Sequence, residues 1–224
     1  MPKQLNKLTE FNFPEGRIIN GKYQIIQKLG AGWEGEVYKI SELSTGIERA
    51  AKFFFPHRNI NNKVANQYAK KLHTLSNCPL VIQYHNQETF WHRNYRINCL
   101  VSEYVEGMIL SKYLSQQPGK KITIFNGLKL LHTLALGLEH MHRLGEYHGD
   151  LHTENIIVRH YGLGFEIKLL DMYQWNDSKR ANMAEDIVNS IKIFMNPSAV
   201  KKPILSITSR DKTYLPWFTS RLDT

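Results

Sequence analysis

With 224 residues, the chain is long enough for one large domain or two small lobes around a shared cleft. Its 42% hydrophobic and 22% charged residues exclude a disordered chain. The net charge of +9 favours anionic partners, but the basic residues are scattered and no arginine-rich arm singles out nucleic acid.

The short pairs Lys70-Lys71, Lys120-Lys121 and Lys201-Lys202 read as solvated faces. Cys78 and Cys99 are too few for a zinc finger and sit in apolar stretches as buried thiols. The first sixteen residues lack the apolar run of a signal peptide, and no segment has the length to cross a bilayer. A reducing, cytoplasmic compartment is the expectation.

In chain order, residues 1–20 are polar, with a Pro-Glu-Gly turn at 14–16, and read as a flexible lead-in. Strand patterns follow at "YQIIQKLG", "GEVYKI" and "ERAAKFFF", divided by "GAGWEG" and "SELSTG", as in an antiparallel meander. Val64, Tyr68, Leu72 and Leu75 mark one face of a helix that Pro79 ends. Two more strands are expected at "VIQYHNQETFW" and "INCLVSEYV", joined by the polar "HRNYR".

After Gly107 the character changes. Leu131, Leu134, Leu138 and Met141 predict a long buried helix closed by Gly145. "NIIVRHYGLGFEIKLLD" predicts a hairpin turning at 162–164, and Met183, Ile187, Ile191 and Phe194 predict a last helix. From Pro197 the pattern weakens, although "YLPWF" suggests packing. The expected class is α+β: a β-rich lobe over 21–105 and a shortened helical lobe over 106–224, with the seam at 103–107.

Three stretches carry chemistry. "GAGWEGEV" fits G-x-G-x-x-G-x-V from Gly30 to Val37. A dinucleotide-binding turn needs a helix next and an acid about twenty residues on. Here a strand pattern follows, and Phe55 stands where the acid would be. A glycine turn between strands is instead a flap whose amides can close over phosphates, or simply a hairpin. Lys52 lies within an apolar strand, where a buried amine needs an anionic partner, unless alternation sends it to solvent. In "YHGDLHTENIIV", His148, Asp150 and His152 alternate and offer a zinc-like set. Alternatively, Asp150 and Asn155 serve phosphate transfer, one handling a proton and the other a magnesium ion.

Gly30, Gly32, Gly35, Val37, Lys52, Asp150, Asn155 and Asp171, in this order, resemble the protein kinase-like superfamily, in particular small bacterial-type serine/threonine protein kinases. The resemblance covers about residues 20–195 and implies a bilobal fold. It implies that the 30–37 flap, with Ala31, cradles ATP. "VSEYVEG" is similar to the hinge between lobes, where the main chain of Glu103 and Val105 would bond adenine behind a small Ser102. Lys52 would contact the α- and β-phosphates. Asp171 and Asn155 would hold magnesium, and Asp150 would receive the acceptor's proton. The resemblance implies magnesium rather than zinc, and makes His148 a structural histidine.

Departures from the family pattern bear on the acceptor. Gly149 stands in place of an arginine that reads a phosphate on the activation segment, and His152 in place of a lysine near the transferring phosphate. "DMY" replaces D-F-G, with Met172 in the apolar slot and Tyr173 limiting backbone flipping. No A-P-E follows, and Asp186 is a candidate brace for the catalytic loop. The chain has no Asp or Glu between Lys52 and Glu88, so the helix near Ala69 offers Lys52 no carboxylate and Gln67 only a neutral amide. The expectation is an ATP- and magnesium-dependent kinase of protein hydroxyls. The alternatives are a kinase-fold enzyme acting on a small molecule or glycan, and a nucleotide-binding pseudokinase.

Overall fold

A computed structural model describes residues 7–120, 122–162, 164–172 and 178–195. Six antiparallel strands build the first lobe: β1 (Ile18–Ile19), β2 (Tyr23–Ala31), β3 (Gly35–Glu42), β4 (Glu48–Phe54), β5 (Tyr84–His92) and β6 (Tyr95–Glu103), in the order β1-β2-β3-β4-β6-β5. Arg93 and Asn94, both with positive φ (47° and 66°), make the two-residue turn between β5 and β6. Alternation along β4 gives each face its task. Ala51 and Phe53 enter an aromatic core with Tyr38 and Phe90, while Lys52 and Phe54 face the second lobe.

The flexible lead-in expected over 1–20 is corrected for residues 7–20, which pack onto the aromatic core. Phe11 and Phe13 are buried, with the Phe13 ring 5.1 Å from Phe53. The Phe13 N–H donates to the Tyr38 hydroxyl (3.1 Å), and the Asn12 N–H to the buried Glu36 carboxylate (3.3 Å). Ile18 and Ile19 pair with β2. The apolar residues here are too sparse to show a period. They nevertheless cover a sheet face that would otherwise be wet, each ring contributing roughly 2 kcal/mol.

The helix α1 (Lys63–Thr74) buries Ala65, Tyr68, Lys71 and Leu72. The second lobe holds β7 (Met108–Ile109), α2 (Leu110–Ser115), α3 (Ile124–Arg143), β8 (Ile156–Tyr161), β9 (Gly164–Leu169) and α4 (Lys179–Met195). Thr123 caps α3 by accepting the Asn126 N–H, and Gly145 (φ 72°) follows its end. Leu134, Leu138 and Met141 are buried as expected, but Leu130 takes the deep position and Leu131 is half-buried. Gly137 lets Leu80 pass: a Cβ there would stand 2.2 Å from the leucine's Cδ2. One core joins the lobes, with Leu72, Leu75 and Leu100 against Leu134, Leu138, Leu151, Ile156 and Leu169.

The face expected for α4 is corrected. Its buried residues are Asn182, Asp186, Ser190, Ile193 and Phe194, whereas Ile187 and Ile191 are 50% and 42% exposed. Of the expected face, Phe194 is buried and Met183 half-buried, while the two middle positions turn outward. Polar side chains fill the inward face there: Asp186 accepts two N–H groups of the loop before β8, and Asn182 and Ser190 bond main-chain carbonyls nearby. Residues from 197 onward, including "YLPWF", lie outside the described residues, as do Tyr173 and the rest of the 173–177 stretch.

Candidate active site

The glycines of the β2–β3 hairpin have different tasks. A Cβ on Gly30 or Gly32 would meet nothing within 4 Å, so this limb has room above it. A Cβ on Gly35 would stand 1.9 Å from the Phe53 carbonyl oxygen, so only glycine lets the hairpin lie on β4. Gly30 pairs with Val37 and the exposed Ala31 with Glu36. Strand β3 follows at once, as expected of a flap and not of a dinucleotide turn. Val37 is directly opposite Lys52 on β4, so the two share a face.

Lys52 is on the cleft face, not in solvent. Its Nζ lies 2.7 Å from Asp171 Oδ1 and 2.7 Å from Glu34 Oε2, with only 13% of the side chain exposed. Burial alone would lower its pKa, but the Asp171 and Glu34 carboxylates raise it above the ordinary lysine value, so the ammonium is secure. Burial likewise opposes the charge on Asp171. Lys52 and the Tyr68 hydroxyl, 3.2 Å away, hold that carboxyl below its ordinary range. Tyr68 comes from α1, and its hydroxyl also accepts the Met172 N–H (3.2 Å). Met172 is buried in the joint core, filling the apolar slot. Asp171 has φ 49°, a left-handed conformation that an aspartate adopts at some cost and that here accompanies a carboxylate held at the cleft.

The loop before β8 is organised by main-chain contacts. The buried Asp186 accepts the N–H groups of His148 (2.7 Å) and Gly149 (3.0 Å), acting as the expected brace from two turns inside α4. Gly149 has φ 83°, which explains a glycine where the family pattern has arginine. His148 is fully buried. Its Nε2 meets the Leu170 carbonyl (2.8 Å) and its Nδ1 accepts the Asp150 N–H (3.1 Å), an arrangement that needs the neutral ring. Burial pushes its pKa down to about 4.

Asn155 Nδ2 donates to the Asp150 carbonyl (2.8 Å) and to the Asp150 carboxylate (3.2 Å), and lies 3.0 Å from His152 Nε2. His152 Nε2 is in turn 3.5 Å from Asp150 Oδ2. Half of the Asp150 side chain is open to solvent. The β8–β9 hairpin sets the remaining geometry. Ile156 pairs with Leu169, so Asn155 and Leu170-Asp171 emerge at one end, tied by the Leu170 N–H to the Asn155 carbonyl (2.9 Å).

At the seam, the Glu103 N–H donates to the Gln83 carbonyl (2.9 Å), and its carboxylate pairs with Lys168 (2.7 Å). What Glu103 can offer a ligand is therefore its carbonyl. Val105 is half-buried against the joint core. The zinc alternative does not survive at His148, since both its ring nitrogens are engaged by the main chain. Among the described residues, no three His, Cys, Asp or Glu side chains gather as a metal cluster.

Comparison with known proteins decides the family: residues 23–204 match the protein kinase domain. The chain belongs to the protein kinase family. It is 30% identical over 161 residues to the serine/threonine-protein kinase pkn2 of Myxococcus xanthus, covering 70% of this chain and 18% of that protein. It is 27% identical over 162 residues to the serine/threonine-protein kinase PrkC of Bacillus subtilis, covering 70% and 23%. The chain thus spans about a fifth of the length of these relatives. Among solved structures it is similar to a mutant form of the Mycobacterium tuberculosis PknI kinase domain, with a TM-score of 0.65, 17% identity, and coverage of 84% of this chain and 78% of that one.

For a kinase domain, two site residues were not legible in sequence. Glu34 supplies Lys52 with the carboxylate missing from α1, and Tyr68 reaches Asp171 from the residue before Ala69, near which an acid is expected. Gln67, the neutral candidate, is exposed, and the partners of Lys52 are Glu34 and Asp171. Tyr68 appeared only as a core residue in the apolar period, and Glu34 only as a spacer between glycines. Among the described residues, no helix of this kinase domain is long and apolar enough to cross a membrane.

Proposed function

We propose that this kinase domain transfers the γ-phosphate of ATP, with magnesium, to a serine or threonine hydroxyl of a protein. The observation that carries the reading is the convergence of Lys52 and Asp171 beneath the glycine hairpin, with Asn155 and Asp150 at the same end of the β8–β9 hairpin. Transfer of a phosphoryl group needs positioned cations and an oriented acceptor more than covalent chemistry. Lys52 binds the α- and β-phosphates. The Gly30–Gly32 limb leaves space for the tail to pass under main-chain N–H groups, and the Glu103 carbonyl and Val105 main chain hold adenine.

The donor set fits magnesium, which prefers hard oxygens. Asp171 presents a carboxylate. The Asn155 amide bonds Asp150 through its nitrogen, which leaves its oxygen as the donor to a metal. A magnesium ion held by Asp171 and Asn155 would neutralise phosphate charge. Asp150 is exposed enough to meet an acceptor hydroxyl, and it takes that proton as the oxygen attacks. His152 flanks Asp150 and helps orient its carboxylate. Beside His152 runs an open groove of about 490 Å³ with Ser111, Ser115, Lys120, Thr153 and Lys192 at its walls. A groove of that volume has room for a short peptide segment beside Asp150.

The test is incubation with γ-labelled ATP and magnesium, with generic protein substrates or small hydroxylated acceptors, beside Asp150→Ala. Label on protein that disappears in the variant is expected. Transfer only to a small acceptor, or a nucleotide-induced melting shift with no transfer at all, overturns the proposal.

A further inference from the structure

Lys52 is a nearly buried ammonium, and such a group needs carboxylates close by. The helix packed beside it supplies none: α1 turns Val64, Gln67, Tyr68 and Lys71 to the small cleft next to the lysine. The two anions on Lys52 are Asp171 and Glu34, both at 2.7 Å. Asp171 is the carboxylate assigned to magnesium above. When a cation takes it, Glu34 is the acid that still holds Lys52. We propose that Glu34, carried on the glycine hairpin and not on α1, is the positioning residue that directs Lys52 at the nucleotide phosphates. This rests on the phosphotransferase reading.

The local structure fixes Glu34 in that place. Its carbonyl accepts the Phe55 N–H at 2.9 Å, so its main chain is tied to the end of β4. The next residue, Gly35, lies directly on the Phe53 carbonyl, where no side chain fits. Glu34 is 15% exposed, while its neighbour Trp33 is 60% exposed with the Arg58 guanidinium 4.2 Å over its ring. Gly30 and Gly32, on the opposite limb, border open space. A phosphate tail can therefore enter beneath that limb while Glu34 stays on the lysine. The consequence is that the orientation of Lys52 follows the seating of the hairpin on β4, not a rotation of α1.

An opposite role is conceivable for the same contact: a gate, in which Glu34 occupies the phosphate site and ATP must displace it. Steady-state kinetics on the full chain separates the two. In the positioning role, Glu34→Gln lowers kcat about tenfold or more. The KM for MgATP stays level or falls, because one negative charge near the phosphates is gone. Glu34→Asp, which keeps the charge, recovers part of kcat. A wild-type kcat in Glu34→Gln overturns the proposal, whether KM is unchanged or lowered as a gate requires. A second readout needs no transfer. In the nucleotide-free protein, amide hydrogen exchange over residues 31–35 should quicken several-fold in Glu34→Gln and equally in Lys52→Met. Unchanged exchange in both overturns the pairing. A wild-type chain that labels no acceptor sinks the phosphotransferase reading instead, and the exchange result still decides what Glu34 does.

Discussion

Asp186 and His148 are joined across 38 residues by a 2.7 Å hydrogen bond from the histidine's main-chain N–H to the buried carboxylate. The second oxygen of Asp186 takes the Gly149 N–H at 3.0 Å. A single side chain on α4 thus satisfies two consecutive donors of the loop that carries Asp150, and the loop inherits the rigidity of the helix.

Asp186→Asn tests this brace. The amide keeps one acceptor and turns a donor towards a main-chain N–H, leaving that group unsatisfied in a dry site. The loss should be about 3 kcal/mol, which for a chain of this size lowers Tm by roughly 6–12 °C. Thermal melts followed by circular dichroism measure it. A variant within 2 °C of wild type, a margin of about half a kcal/mol, would show that the fork carries little energy.

The brace also shows what was legible in the sequence. Gly30 to Val37, Lys52, Asp150, Asn155 and Asp171 could be read because each type is set by chemistry that tolerates few substitutes, and their order survives any packing detail. The alternating strands and the α3 face could be read because a periodic apolar pattern is a physical signal. Where the buried face is largely polar, that signal misleads in part: of the α4 period Met183, Ile187, Ile191 and Phe194, the last is buried, but Ile187 and Ile191 are exposed while Asn182 and Asp186 face inward. Phe11 and Phe13 failed for the opposite reason: two rings in a polar stretch have no period, yet a bare sheet face takes them up. Glu34 was invisible because its partner lies 18 residues away across a register only the folded hairpin sets.

Asp150→Asn separates catalysis from binding. The carboxylate is half exposed and, among the described residues, its polar side-chain contacts are Asn155 and His152, so the fold should lose no more than about 0.5 kcal/mol. The melting shift induced by MgATP should persist. Turnover should fall by roughly 100- to 10,000-fold, the range for a lost general base. Loss of the nucleotide shift together with activity would place Asp150 in nucleotide binding and remove it from proton transfer.

The glycines of the hairpin should separate just as sharply. Gly35→Ala drives a methyl group into the Phe53 carbonyl and must lift the hairpin from β4. A cost of about 1–3 kcal/mol is expected, with weaker nucleotide binding as a result. Gly30→Ala and Gly32→Ala meet open space, so Tm should hold while the Kd for MgATP rises. Equal destabilisation by all three would mean that the two limbs are not differently packed.

His148 predicts an acid-sensitive step. The buried ring is neutral, with Nε2–H donating to Leu170 and Nδ1 accepting from Asp150, so a second proton breaks the contact to Asp150. In the unfolded chain, histidine binds a proton below about 6.5. In the folded protein this one resists until about 4. Between those values the unfolded state holds more protons, so stability is lost as pH falls and is unaffected above the window. The loss approaches about 3 kcal/mol near pH 4. His57, His85 and His92 are also pushed down by burial, and they contribute in the same direction. Urea unfolding of wild type and His148→Gln from pH 7.5 to 4 isolates the share of His148, because glutamine offers one acceptor and one donor without titrating. The two curves should converge as the pH falls, the variant having the shallower slope. Parallel curves would mean that His148 is not held neutral and that its ring does not anchor the loop in the way the contacts describe.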